Sequence, residues 1–290
     1  MTKKGTEIAE KKTTAVATNM DYGSDAGAGF EDVKGSDLSI PFIGILQSNS
    51  PQVEACEDGS ILSGMLINTV TGEITDGKKG FMFLPVHKEE AFVEWVPRIK
   101  GGGFVELHDP NGDTVQAIIK NNGGSRIPPK GEDGKRIPFR IGDNELIETF
   151  YVYGLVLNEE GDQTAGFAVI RFTSTKIKPY RDWSTSIFML KGKPPMFANR
   201  AHIKTIKKTN DAGTFGNFDI SPLKDTWQAS LIHPVNEKAL LEEGKNFQEM
   251  VVNGLARANF ESQQPEGGES VSDKTTGGAP DTGSDENIPF

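Results

Sequence analysis

The chain is short of the residues on which secretion, membrane insertion and metal-centred chemistry usually draw. It has one cysteine, Cys56, in 290 residues. That excludes an internal disulfide and fits a reducing compartment. Its four histidines, His87, His108, His202 and His233, are not spaced with one another or with Cys56 as zinc ligands are, so no metal site is expected. No apolar run approaches the roughly 18 residues that a membrane span requires. The N-terminus, MTKKGTEIAEKKTTAVAT, is basic but leads into no apolar stretch, which argues against a signal peptide. Hydrophobic residues make up 36% of the chain, and the mean hydropathy is −0.42. A chain of this length with so little apolar content predicts one folded core plus polar segments that stay outside it. The expectation is a soluble intracellular protein.

Nucleotide and catalytic signatures are missing as well. GGESVSDKT, residues 267–275, puts Asp273 where a phosphate-binding loop needs glycine. KGGGF, residues 100–104, is not followed by the helix that a dinucleotide fingerprint opens, so it reads as a turn. Glu94, Glu106, Asp109 and Asp113, with Lys100 or Lys120, make a carboxylate–lysine grouping of the kind a metal-dependent nuclease uses. Scatter of this kind is normal in an acidic β-rich chain. No catalytic residue and no cofactor is expected.

Composition divides the chain into three parts. Residues 1–36 hold few large apolar side chains and read as a flexible N-terminal arm. Residues 261–290 carry seven acidic residues against Lys274 alone, a net −6, amid Gly, Ser, Thr and Pro. Such a segment cannot bury enough apolar area to offset the entropy of ordering, so it reads as a disordered acidic tail. Residues 37–260 remain as one β-rich domain.

Within that domain, residues 63–70, 81–86 and 91–99 read as strands. TFYVYGLVL (149–157) and TAGFAVIRFT (164–173), joined by NEEGD, make a hairpin. Tyr151 and Tyr153 share one face of its first strand, Phe150 and Val152 the other. Two apolar faces mean burial on both sides, or one face kept for a ligand; burial is favoured. Phe167 and Arg171 share a face of the partner strand. Residues 100–145, dense in Gly and Pro, read as loop or short irregular hairpins. Two helices are expected. One covers 179–191, beginning between Ser174 and Pro179, with Tyr180, Trp183, Ile187 and Leu190 on one stripe. The other covers 236–260, with Leu240, Phe247, Val251, Leu255 and Ala258 on one stripe; Gly244 and Gly254 weaken it. Strand–helix alternation is absent, so a doubly wound parallel sheet is not expected.

Charge is segregated. The chain is −10 overall, yet residues 171–208 hold Arg171, Lys176, Lys178, Arg181, Lys191, Lys193, Arg200, Lys204, Lys207 and Lys208 against Asp182 alone, a net +9. A weaker basic stretch holds Lys120, Arg126, Lys130, Lys135, Arg136 and Arg140. Cations that track a phosphate backbone, interleaved with rings that stack on unpaired bases, are what single-stranded nucleic acid requires. Here the rings are Phe172, Tyr180, Trp183, Phe188 and Phe197, with Tyr151 and Tyr153 from the hairpin. For Trp183, helical spacing makes core the better reading than stacking.

The chain closes on DENIPF. An acidic Gly/Ser/Pro linker ending this way resembles the C-terminal tip of bacterial single-stranded DNA-binding proteins, on the residues Asp285, Glu286, Ile288, Pro289 and Phe290. Asn287 stands where that family usually has another Asp. The resemblance implies docking on replication and repair enzymes, Phe290 entering an apolar pocket while its terminal carboxylate meets a basic rim. A tethered −6 tail can also compete with DNA for a +9 surface at high effective concentration, a logic similar to that of phage single-stranded DNA-binding proteins. In general layout the chain looks like a phage replication protein, with a likeness to strand-binding transcription cofactors of N4-related phages.

The expectation is therefore an α+β, β-rich fold. It is an oligonucleotide/oligosaccharide-binding (OB)-like barrel, or related antiparallel sheet, with long insertions and two helices; a β-rich fold of another kind is the alternative. The expected function is sequence-nonspecific binding of single-stranded DNA in viral replication or recombination, in the host cytoplasm. Partner enzymes of replication or transcription would dock on the tip; no membrane is involved, and a homo-oligomer is compatible with all of this. An RNA polymerase cofactor or annealing protein is the near alternative. A metal-dependent nuclease and a structural virion protein are alternatives of other classes.

Overall fold

The computed structural model describes residues 39–260, apart from 133, 135, 211, 212 and 259, together with Gly29. The 1–36 arm, Gly29 aside, and the 261–290 tail lie outside the described residues.

The domain is built on a mixed ten-stranded sheet with helices packed on it, an α+β arrangement rich in β-structure. In chain order the elements are β1 (Ser39–Ile40), β2 (Phe42–Ile45), α1 (Pro51–Glu54), β3 (Leu66–Asn68), β4 (Ile74–Thr75), β5 (Phe81–Trp95), β6 (Phe104–His108), α2 (Asp113–Asn121), β7 (Phe139–Ile141), β8 (Asn144–Leu157), β9 (Thr164–Thr173), α3 (Ile177–Phe188), β10 (Ala201–Asn210), β11 (Gly213–Pro222), α4 (Lys238–Val252) and β12 (Arg257–Ala258). The sheet runs β11-β10-β5-β8-β9-β2-β3-β4, with β6 added to β5 and β7 to β8. Its pairs are antiparallel except β2 with β9; β1 and β12 form a separate parallel pair. Among the described residues no helix is long and apolar enough to cross a membrane.

The expected hairpin is the centre of this sheet. β8 and β9 pair from Thr149↔Thr173 to Leu157↔Thr164. Both faces of β8 are covered. Tyr151, Tyr153 and Leu155 join Leu84, Val86 and the α4 residues Leu240 and Phe247 in one core. Phe150 and Val152 join Phe83, Phe172 and the α3 residues Tyr180, Trp183 and Ile187 in another. Each such side chain contributes about 1.5–3 kcal/mol on burial, and this two-sided covering is what makes the run of consecutive apolar residues stable in water.

Residues 81–86 and 91–99 are not two strands. β5 is one strand of 15 residues against β8, and the polar stretch His87–Glu90 stays in the ladder. The register slips between Pro85 and His87. Proline offers no N–H to a ladder, and a bulge there accommodates it. Opposite, Gly154 is required: a Cβ on it would lie 2.4 Å from the Leu84 carbonyl oxygen and 2.4 Å from the Phe83 ring.

The helices correct the expectation in three places. α3 starts at Ile177 after a 3-10 turn, inside the expected window and with Pro179 in its first turn, but it stops at Phe188, short of residue 191. α4 stops at Val252, well short of residue 260. Gly254, at φ +70°, donates to the Val251 carbonyl, and Leu255 N–H reaches back to Met250, a Schellman stop that frees Arg257–Ala258 to form β12. Gly244, a weak point by propensity, is where α4 approaches β5; an added Cβ would lie 3.2 Å from Leu84 and 3.2 Å from Phe197. The third correction is α2, nine residues inside the stretch expected to be loop, which buries Val115 and Ile119 over Phe92, Phe139 and Leu146.

The two ends of the strand order come together without a strand pair. Thr205 in β10 donates its N–H to the Gly77 carbonyl beyond β4 at 2.7 Å, and its hydroxyl donates to the Gly64 carbonyl. Gln47, after β2, bonds the backbone of Gly216 in β11.

Candidate nucleic-acid interface

The basic segment 171–208 contains two kinds of cation. Lys176 is 4% exposed and Arg200 2% exposed, so neither is at a surface that a phosphate can reach. Arg200 is a structural hub. Its Nε donates to Ser230 O at 3.1 Å, Nη1 to Gly161 O at 3.1 Å, and Nη1 and Nη2 grip the two Glu237 oxygens at 2.5 and 3.3 Å. A buried guanidinium is tolerated because every edge is satisfied in this way. Arg171 is half-buried, with its guanidinium over the Trp95 ring at 5.4 Å. Lys178, Arg181, Lys191, Lys193, Lys207 and Lys208 are exposed, and Lys204 is half-buried.

The four aromatic residues offered as candidates for base stacking belong to the core, the reading favoured for Tyr151, Tyr153 and Trp183. Tyr151 is 0%, Tyr153 3%, Tyr180 4% and Trp183 2% exposed. Tyr180 stacks on Phe150 at 4.7 Å between ring centroids, and Trp183 lies 6.3 Å from Phe172. The Tyr153 hydroxyl donates to Glu89 Oε2 at 3.0 Å, and burial, reinforced by the Glu89 charge, pushes its pKa up. The ring left outside is Phe188 at the end of α3, 73% exposed beside Met189 at 74%. Its position one residue past Ile187, off the Tyr180–Trp183–Ile187 stripe, was the available sequence signal. Phe167, 44% exposed, packs its ring 4.6 Å from Phe247, whereas Arg171 lies over Trp95.

The structure joins part of the second basic stretch to the first. Arg126 reaches Glu148 on β8 through Nε at 3.3 Å, and Arg181 on α3 reaches the same carboxylate through Nη2 at 3.4 Å. Arg126 also pairs with Glu90 and lies over the Phe92 ring at 5.4 Å. Burial raises the Glu148 pKa, and the two guanidinium groups oppose that shift. Lys178 and Lys208 then line a shallow cleft of about 210 Å³ between α3 and the β10–β11 hairpin, over Trp183, Ile206, Phe218 and Ile220. Lys178 is paired with Asp182 at 2.7 Å. The remaining cations of the second stretch have local roles. Lys130 and Arg136 face each other in an isolated bridge, Arg140 lies 3.7 Å from Glu145, and Lys120 is exposed at the end of α2. Lys135 and the tip residues Asp285, Glu286, Ile288, Pro289 and Phe290 lie outside the described residues.

Of the carboxylates considered for a nuclease, the fold gathers Glu94 and Glu106, and with them His108; Asp109 and Asp113 are not in the group. The register Glu94↔Glu106 between β5 and β6 makes the first two cross-strand partners, which residue spacing alone does not reveal.

A family model described as Pam3 phage gp34-like protein matches residues 9–257. No curated protein and no solved structure matches the chain.

Proposed function

We propose that this chain, which belongs to the Pam3 phage gp34-like family, is a sequence-nonspecific single-stranded DNA-binding protein of phage replication or recombination. The observation that carries the reading is the outward face of the 171–208 segment. Six exposed cations, Lys178, Arg181, Lys191, Lys193, Lys207 and Lys208, share that segment with one strongly exposed ring, Phe188. Arg126 is tied to the same segment through Glu148, which it shares with Arg181. Cations of this kind track phosphates, and a solvent-facing ring stacks on a base of any identity. The acidic tail would recruit replication or transcription enzymes through Asp285, Glu286 and the Ile288–Phe290 plug, and would compete with DNA for the basic face. The finer fold reading, an OB-like barrel with long insertions, belongs to the same proposal. Its support is the contact between the two ends of the strand order, Gln47 with Gly216 and Thr205 with Gly77.

The test is fluorescence anisotropy with labelled oligo(dT) and a matched duplex at several salt concentrations, on residues 1–290 and on 1–280. The expected result is preference for the single strand, steep weakening with salt from counterion release, and equal or tighter binding without the last ten residues. Equal binding to duplex and single strand would sink the proposal. Collapse of binding on truncation would sink the tail's role.

A further inference from the structure

We infer that Glu94, Glu106 and His108 form a binding site for a divalent transition-metal ion of the manganese or zinc kind. Strand geometry assembles it. Glu106 and His108 are two apart on β6 and so point to one face, and Glu106 lies directly across from Glu94 on β5. One donor atom from each residue lies within 4.8 Å of the other two.

The arrangement is electrostatically unbalanced as a purely structural feature. Like charges directly opposite on adjacent strands are destabilising. Here one of the two carboxylates, Glu94, is also 7% exposed, which adds a desolvation cost. Among the described residues no Lys or Arg contacts either one. Glu94 has only the His108 imidazole, Nε2 to Oε2 at 2.7 Å, and the Asn144 amide, which donates to Oε1 at 2.6 Å. Glu106 is exposed, and among the described residues its carboxylate has no hydrogen bond or ion pair. A cation between the three would convert the repulsion into ligation.

The donor set indicates the class of ion. An imidazole nitrogen with two carboxylate oxygens favours Mn²⁺, Zn²⁺ and their neighbours over Mg²⁺ or Ca²⁺. The atoms His108 Nε2 and Glu94 Oε2 need only part to about 3 Å for each to sit roughly 2.0–2.2 Å from a common ion. Asn144, holding the far oxygen of Glu94, is the outer partner that fixes a ligand's orientation. Glu106 leaves the site open to solvent, so water would complete the coordination. None of this depends on strand binding.

The experiment is calorimetric titration of tag-free, chelator-treated full-length protein with MnCl₂ and with ZnCl₂, paired with thermal melts at each metal concentration. One saturable site is expected, with a melting temperature that rises with metal because the ion binds the folded chain. Glu106→Gln, an exposed and nearly isosteric change that removes the like charge opposite Glu94, should leave the metal-free melt no lower than wild type and lose the saturable event and the metal-dependent rise. His108→Asn should do the same, and Asn144→Ala should weaken binding by about ten- to a hundredfold. Residues 1–280, which lack Asp281, Asp285 and Glu286, should bind as the full chain does. Absence of a saturable event in the wild type, its persistence in Glu106→Gln and His108→Asn, or its loss on truncation would each overturn the site.

Discussion

Gln47 and Gly216, 169 residues apart, exchange two hydrogen bonds: the Gly216 N–H donates to Gln47 Oε1 at 2.9 Å, and Gln47 Nε2 donates to the Gly216 carbonyl at 3.1 Å. A side-chain amide offers one donor and one acceptor side by side, as a strand's backbone does. At this one position Gln47 thus does for the β11 edge what a further strand would do, satisfying both backbone groups of Gly216.

Removing that amide should loosen the join between the sheet's ends. Gln47→Ala is expected to cost about 1–3 kcal/mol, since both backbone groups of Gly216 lose their partner. Gly216→Ala should destabilise by a different route, because its Cβ would lie 2.7 Å from Ile45 Cγ2. Urea denaturation of the two variants checks both.

Arg200 lies in the basic segment, yet its variants should change stability and not strand affinity per folded molecule. Arg200→Met is expected to cost about 3–5 kcal/mol, because Glu237 is then left without its cation. Burial pushes the Glu237 pKa up, but the His233 N–H and the Arg200 guanidinium outweigh it, and the net shift is downward. A depressed carboxylate contributes stability above its unfolded pKa of about 4.3, and this is lost as pH falls through the lower folded value. Urea melts from pH 7 downward should therefore show a larger acid-side loss of stability in the wild type than in Glu237→Gln.

Phe188 and Trp183 make opposite predictions. Phe188→Ala should leave the melting temperature unchanged and weaken oligo(dT) binding by about 1–3 kcal/mol, roughly 5- to 150-fold. Trp183→Ala, by contrast, should cost about 3–5 kcal/mol of folding stability, as truncation of a buried ring does. Anisotropy and thermal melts on both variants separate the two roles.

Reversal of Lys204, Lys207 and Lys208 to Glu tests the β10 side of the proposed face. Affinity should fall for every oligonucleotide sequence, and the slope of log K against log salt should shrink by about 2, roughly 0.7 for each lost phosphate contact. Unchanged slope and affinity would remove β10 from the interface.

Legibility followed the range of the interaction. The 149–173 hairpin was readable because its two apolar runs and Gly-containing turn are neighbours in the chain. Trp183 was assigned to the core by its spacing from Tyr180 and Ile187, and that stripe is buried. α2 was not readable, since two buried residues among so many glycines carry little periodic signal. Nor was the β10–β11 hairpin, whose lysines dilute its apolar alternation. The exposure of each cation in 171–208 was equally hidden: Arg200 and Lys193 look alike in the chain, and only distant partners, Gly161, Ser230 and Glu237, distinguish the first.

By itself, then, the sequence determined the β-rich class, the central hairpin, the amphipathic stripe of α3 and the segregation of charge, because each is a pattern among near neighbours or a sum over composition. Tertiary structure alone decided which cations face water, that Arg126 and Arg181 share Glu148, and that Glu94 meets Glu106 and His108. Those outcomes depend on strand register and on what packs opposite. A one-residue change of register would turn Glu106 to the other face while leaving every local pattern intact.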